Sequence, residues 1–144
     1  MPKMAIIYAS GLGRTKTMAE AISNGAMTIP GVEVVLKDAY DASLEDVLDA
    51  QAIALGGSTY NYKLIKAMDP FLKELAKLDL KGRIGVAFGS FGWSGEGVPT
   101  LIIRMKSFGM KVIEPGTTAV QVPTKEDIEK CFLLGRNIAL GLVN

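Results

Sequence analysis

The chain is 144 residues long, enough for one domain on a single core, and its 16 lysines and arginines against 15 aspartates and glutamates leave a net charge of +1. That balance excludes the basic footprint of a dedicated nucleic-acid binder or a polybasic membrane anchor. Histidine is absent, which removes the Ser/His/Asp triad, imidazole acid–base chemistry and His-ligated metal sites, and the lone Cys131 can form no internal disulfide, so a reducing cytoplasm is the expected compartment.

Lys3 precedes the apolar run Met4–Ala9, which is short for a signal-peptide core, lacks a convincing cleavage site after it, and reads as a first strand. Thr15 to Met27 carries Met18, Ala21, Ile22 and Gly25/Ala26 at helical spacing, and Pro30-Gly31 closes the unit. Val32 to Leu36 is the second strand. Ser43-Leu44-Glu45-Asp46 has the form of a capping box opening a short helix through Leu48, and Ala52 to Leu55 is the third strand. A helix is expected over about Ile65 to Leu78, with Asp69-Pro70 as a start or kink and Phe71, Leu72, Leu75 and Leu78 on its inner face. Ile84 to Phe88 is the fourth strand, followed by a helix from Val98 to Phe108 that stops at Gly109. Lys111–Ile113 and Thr118–Val122 read as pieces of a fifth strand interrupted at Pro115-Gly116, and Thr124-Lys125-Glu126-Asp127 caps a last helix through Leu140. No apolar run approaches the ~20 residues of a bilayer span, so no membrane insertion is expected.

Short apolar strands without period-two polarity are those covered on both faces, and their alternation with helices calls for an α/β, doubly wound parallel sheet in a single domain over 1–144. In such sheets ligands sit beyond the carboxyl ends of the strands where the winding reverses, which directs attention to the segments after strands one, three and four.

After strand one, Ser10-Gly11-Leu12-Gly13-Arg14-Thr15 feeds straight into a helix. Glycines let backbone amides converge, the hydroxyls of Ser10, Thr15 and Thr17 add donors, Arg14 adds a charge, and the helix N-terminus adds positive potential, so the loop suits a phosphate; an ordinary capped turn is the rival reading. It lacks the third glycine of the dinucleotide fingerprint and the Gly-Lys-Ser/Thr of nucleoside-triphosphate loops. After strand three, Gly56-Gly57-Ser58-Thr59-Tyr60-Asn61-Tyr62 joins hydrogen-bonding groups to two aromatics, and after strand four Gly89-Ser90-Phe91-Gly92-Trp93-Ser94-Gly95-Glu96 carries the only tryptophan. Tyr60, Phe91 and Trp93 together, beside a phosphate loop, fit a flat aromatic ligand bearing one phosphate.

The motif Ile6-Ile7-Tyr8-x-Ser10-x-x-Gly13-x-Thr15-x-x-x-Ala19-x-x-Ile22 resembles the flavodoxin signature around the FMN phosphate. Gly57-Ser58-Thr59-Tyr60-Asn61 and Phe88-Gly89-Ser90-Phe91-Gly92-Trp93-Ser94-Gly95-Glu96 are similar to the flavodoxin-like domain of flavodiiron proteins, whose separate metal domain is rich in the histidine this chain lacks. The resemblance implies a flavodoxin-like, three-layer, five-stranded parallel sheet of order 2-1-3-4-5 and an FMN-binding carrier that shuttles electrons between redox partner proteins. It implies that Ser10, Gly11, Leu12, Gly13, Arg14 and Thr15 wrap the phosphate, that Ser58, Thr59, Asn61, Ser90 and Gly95 belong to the cofactor-binding loops, and that Tyr60, Phe91, Gly92 and Trp93 flank the ring. Arg14, Lys16, Lys63 and Lys66 outnumber Glu96 in this rim, unlike the acidic rim of many flavodoxins. An NAD(P)H-dependent FMN or quinone reductase, or a non-redox module for a phosphorylated ligand or partner protein, are the alternative readings.

Overall fold

The computed structural model describes all residues, Met1–Asn144. Its long strands are β1 (Lys3–Ala9), β2 (Glu33–Asp38), β3 (Ala52–Gly57), β6 (Ile84–Phe91) and β7 (Lys111–Val120), and a small hairpin supplies β4 (Thr59–Tyr60) and β5 (Lys63–Leu64). The long strands form one sheet in the order β2-β1-β3-β6-β7, parallel throughout, which is the 2-1-3-4-5 order of the resemblance once the hairpin is set aside. The helices are α1 (Arg14–Ala26), α2 (Leu44–Val47), α3 (Asp69–Leu75), α4 (Gly97–Ser107) and α5 (Lys125–Val143).

Every residue of β1 is buried, because its alternate side chains enter two different cores. Met4, Ile6 and Tyr8 pack with Met18 and Ile22 of α1 and with Ile138 of α5. Ala5, Ile7 and Ala9 meet Phe71, Leu72 and Leu75 of α3 and Leu101 and Met105 of α4. At roughly 25 cal/mol per Å² of apolar surface, both faces must be covered to offset the conformational entropy of so short a chain. Helices α1 and α5 approach closely through two glycines: a Cβ at Gly25 would fall on the Phe132 carbonyl, and one at Gly135 on the Ile22 carbonyl. Cys131 is fully buried in this layer, and burial together with the nearby Asp127 carboxylate pushes its thiol up to about 11.

Both expected capping boxes form. The Ser43 N–H donates to Asp46 Oδ2 at 2.8 Å. The Thr124 N–H donates to Asp127 Oδ2 at 2.9 Å while Asp127 N–H returns a bond to Thr124 Oγ1 at 3.1 Å, opening a helix that runs three residues past Leu140. Burial works against the Asp46 carboxylate, but bonds from the Ser43 backbone and Lys37 outweigh it and hold its pKa below the ordinary value.

Three expectations are corrected. The helix foreseen over Ile65 to Leu78 is a 3-10 turn at Lys66–Met68 followed by α3, because the Ile65 N–H is committed to the Ser58 carbonyl at 2.9 Å and Pro70 occupies the first turn of α3. The fifth long strand is not broken at Pro115-Gly116: β7 runs through both as an edge strand whose pairing with β6 shifts register between Val86 and Phe88. Gly116 sits there at φ 85°, where a Cβ would come within 2.6 Å of the Ala87 carbonyl oxygen. The fourth long strand does not stop at Phe88. It continues to Phe91 because Gly89, Ser90 and Phe91 pair with Thr118, Ala119 and Val120, so those residues are strand and not loop.

Candidate functional site

Three segments meet beyond the carboxyl ends of β1, β3 and β6. The first is the loop Ser10–Gly13. Gly13 takes φ 83°, a left-handed conformation that turns the chain directly into α1, and no side chain caps the helix. The hydroxyl of Ser10 is buried and has no hydrogen-bond partner. A buried, unpartnered hydroxyl beside uncapped helical amides is a polar cradle lacking its acceptor, and a phosphate fits that donor set without a metal. Thr17 is turned away from this cradle, its hydroxyl donating to the Gly13 carbonyl at 3.0 Å. Thr15 is fully buried, and its Oγ1 accepts from the Ser90 N–H at 3.2 Å and lies 3.1 Å from Ser90 Oγ. Ser90 is buried too, so it fixes the start of α1 against β6.

The second segment follows β3. Thr59 pairs with Leu64 and Tyr60 with Lys63, and the two-residue turn between them puts Asn61 at φ 52° and Tyr62 at φ 64°. Asn tolerates that region, whereas Tyr62 holds it at a steric cost. The hairpin is docked by the Gly97 N–H, which donates to Thr59 Oγ1 at 2.8 Å and so ties β4 to the first turn of α4. Gly57 admits this packing, since a Cβ there would strike Leu64 Cδ1.

The third segment is the end of β6 and the turn into α4. Trp93 is 86% exposed, and Tyr60 and Tyr62 are 75% and 61% exposed, so three aromatic rings stand in solvent within a short stretch of surface. Phe91 differs from them. Its ring covers Gly95, where a Cβ would lie 3.1 Å from Phe91 Cε1, and it is half-buried over its own loop. Nothing approaches Gly92, which leaves that backbone open.

These placements divide the candidate residues. Thr59, Asn61, Tyr62, Trp93 and Ser94 line one cleft between the hairpin and the β6–α4 turn. Gly11, Tyr60, Asn61 and Lys63 line a second cleft of about 440 Å³ on the side of the hairpin facing the phosphate loop. Leu12, Gly13 and Arg14 face a third, with Val122, Pro123 and Ile128, so Leu12 and Arg14 do not share a cleft with the aromatics. Ser58 is half-buried, its carbonyl accepting from Ile65. Tyr62 and Ser94 line the aromatic cleft, although the resemblance assigns neither a contact to the cofactor. Asn61-Tyr62 as a hairpin turn was the available signal, hidden because each strand is only two residues long.

At the opposite side of the phosphate loop Tyr8 borders a cleft with Lys16, Glu20, Asp38 and Asp41. Burial, then the carboxylates of Asp38, Glu20 and Asp41, raise the Tyr8 phenol above its ordinary pKa. Lys16 therefore faces carboxylates and does not belong to a cationic rim around the aromatics.

Comparison with known proteins agrees with this fold. The flavodoxin family model matches residues 6–135. A nitric oxide reductase of Moorella thermoacetica is 36% identical, the alignment covering 99% of this chain and 37% of that protein. A flavodoxin of Aquifex aeolicus is 31% identical over 96% of this chain and 86% of its own length. Among solved structures, a flavodoxin from the domain Archaea superposes with a TM-score of 0.92 at 39% identity, covering 99% of both chains. The flavodiiron protein from Giardia intestinalis gives 0.89 at 26% identity over 98% of this chain and 36% of its own. The chain thus spans only about a third of the length of the nitric oxide reductase and type A flavoprotein relatives it matches. No helix is long and apolar enough to cross a membrane. The 2-1-3-4-5 sheet agrees with these matches, and the chain belongs to the flavodoxin family of FMN-binding electron-transfer proteins.

Proposed function

We propose that residues 1–144 form one flavodoxin-like domain that acts as an electron carrier in the cytoplasm, holding FMN through its phosphate at Ser10–Thr15 and leaving the ring edge open to partner proteins. The observation that carries this reading is the buried Ser10 hydroxyl without a partner, at the foot of an uncapped helix. Bound FMN supplies the redox chemistry, so the chain needs no acid, base or nucleophile of its own. Ser10 donates to the phosphate, the loop amides from Gly11 to Thr15 converge on it, and Gly13 sets the direction in which they point. Arg14 adds a charge at the rim. Thr15 would contact the phosphate while its hydroxyl is held by Ser90, which makes Ser90 a positioning residue.

The ring would be held in the cleft between hairpin and β6–α4 turn. Thr59 and Asn61 would supply polar contacts to its edge, and Tyr62 and Trp93 would cover its faces and exclude water, with Tyr60 on the other side of the hairpin. Phe91 and Gly95 shape the turn that presents Gly92 and Trp93. A free, buried Cys131 suits a reducing compartment. Carriers of this kind exchange electrons through small, transient interfaces, and the exposed aromatics provide one. The visible spectrum of the purified chain reconstituted with FMN tests the cofactor. Stopped-flow mixing with NAD(P)H tests the role: a carrier reacts sluggishly without a reductase, whereas rapid stoichiometric reduction marks a stand-alone reductase.

A further inference from the structure

Beside the aromatic cleft, and sharing Tyr62 with it, runs a second groove of about 450 Å³ between the hairpin, α3 and α4. Its charged lining is Lys63, Lys66 and Arg104 against Asp69 and Glu96. None of the three cations enters an ion pair: the pairs of this chain use Lys3, Lys37, Lys77 and Lys106. Of the two carboxylates, Glu96 is engaged locally, and Asp69 enters no hydrogen bond or ion pair, so the lining keeps a net charge of +1. Glu96 Oε1 accepts the Ser94 hydroxyl at 2.5 Å, and Asp69 lies in the first turn of α3, where the helix amides favour an anion. Arg104 is held by the face of Phe108, its guanidinium carbon 5.8 Å from the ring centroid. The groove floor is apolar, Leu64 and Leu72 both being buried.

From this we infer that the groove lined by Lys63, Lys66 and Arg104 is the docking surface for a carboxylate-rich segment of an acidic redox partner protein. This rests on the carrier reading above. A partner anchored there lies over Tyr62 and hence over the ring edge, so the groove couples docking to the electron-transfer path. Three unpaired cations around an apolar floor match glutamate and aspartate side chains on an amphipathic segment. Complementary charge of this kind raises association rates and suppresses wrong partners more than it adds affinity.

Two measurements test it. In the first, a synthetic glutamate-rich peptide is titrated into the 15N-labelled protein, with the glutamine version as control. Binding of the glutamate peptide alone, with shifts centred on Lys63, Lys66 and Arg104 and lost at high salt, is expected. Equal shifts from both peptides, shifts elsewhere, or stronger binding of a single-stranded oligonucleotide overturn the proposal. In the second, the FMN-loaded, dithionite-reduced protein gives one electron to each ferricyanide anion or each hexaammineruthenium(III) cation. The ferricyanide rate is expected to fall as ionic strength rises from ~10 to ~300 mM and the ruthenium rate to rise. The variant Lys63→Glu/Lys66→Glu/Arg104→Glu is expected to slow ferricyanide about tenfold or more at low salt and to reverse both trends. A rate with native protein that is salt-independent, or that favours the cation, overturns the docking surface without need of the variant. If the chain takes up no FMN, the carrier reading fails, while the peptide titration on the same protein still decides the groove.

Discussion

Thr15 Oγ1 and Ser90 Oγ lie 3.1 Å apart across 75 residues of sequence, and the Ser90 N–H also donates to Thr15 Oγ1 at 3.2 Å. The pair joins the first turn of α1 to β6, so the end of the phosphate loop is set by a strand on the other side of β3. Thr15→Val keeps the shape and deletes the hydroxyl, leaving the Ser90 donor buried without an acceptor. We expect a loss of about 1–3 kcal/mol in denaturant unfolding of the apoprotein together with weaker FMN binding. Ser90→Ala alone should cost less, and the double variant should show clear non-additivity.

Ser10 carries the opposite signature. Its hydroxyl is buried with no partner, so in the apoprotein it is a desolvated donor with nothing to donate to. Ser10→Ala should therefore leave apoprotein stability unchanged or raise it by up to about 1 kcal/mol, while weakening FMN about tenfold. Parallel thermal melts and flavin titrations read the two signs. A fall in both would mean that the hydroxyl is structural.

The hairpin turn stores steric cost at one place. Tyr62 holds φ 64° without the glycine that such turns favour. Tyr62→Gly should stabilise the apoprotein by about 1 kcal/mol, or leave it unchanged where greater freedom of the unfolded chain offsets the gain. It should also loosen the ring, read as faster flavin dissociation. Gly13→Ala, at φ 83° with open space around it, should cost about 1–2 kcal/mol by backbone strain alone.

Much of this could be read from the sequence, and what could not has physical causes. The capping boxes at Ser43 and Thr124 were legible because hydroxyl and carboxylate stand at fixed spacing, and the long strands because buried parallel strands are apolar without alternation. The hairpin was not, since two-residue strands carry no periodicity and Asn61-Tyr62 lacks the glycine that marks such turns. The length of β6 was hidden because Gly89 and Ser90 have loop composition. They are strand because they pair with Thr118 and Ala119 of β7, and residue 89 is glycine because a Cβ there would strike the Gly57 carbonyl. Pro115 suggested a break that an edge strand with a register shift absorbs. The turn from β1 into α1 was legible as a whole. Its division of labour, with Thr15 bound to Ser90 and Thr17 to Gly13, depends on tertiary contacts that no local pattern encodes.

Cys131 offers a readout of the α1–α5 layer. Its thiol is fully buried, with a pKa raised to about 11 from 9.0 in the open chain. Between those values the unfolded chain releases a proton that the folded one keeps. Stability is therefore undiminished below pH 9 and falls as pH rises toward 11, by about 3 kcal/mol in all. Iodoacetamide at pH 8 should label the native protein far more slowly than the urea-unfolded chain. Equal rates would place the thiol at the surface.

Calorimetric titration of the apoprotein with FMN and with riboflavin measures the proposed phosphate cradle directly. The two ligands share the ring and differ by the phosphate alone. Charge-assisted bonds from Ser10 and the loop amides predict that FMN binds at least about 100-fold more tightly. Equal affinities, or no heat with FMN while the chain is demonstrably folded, would contradict it.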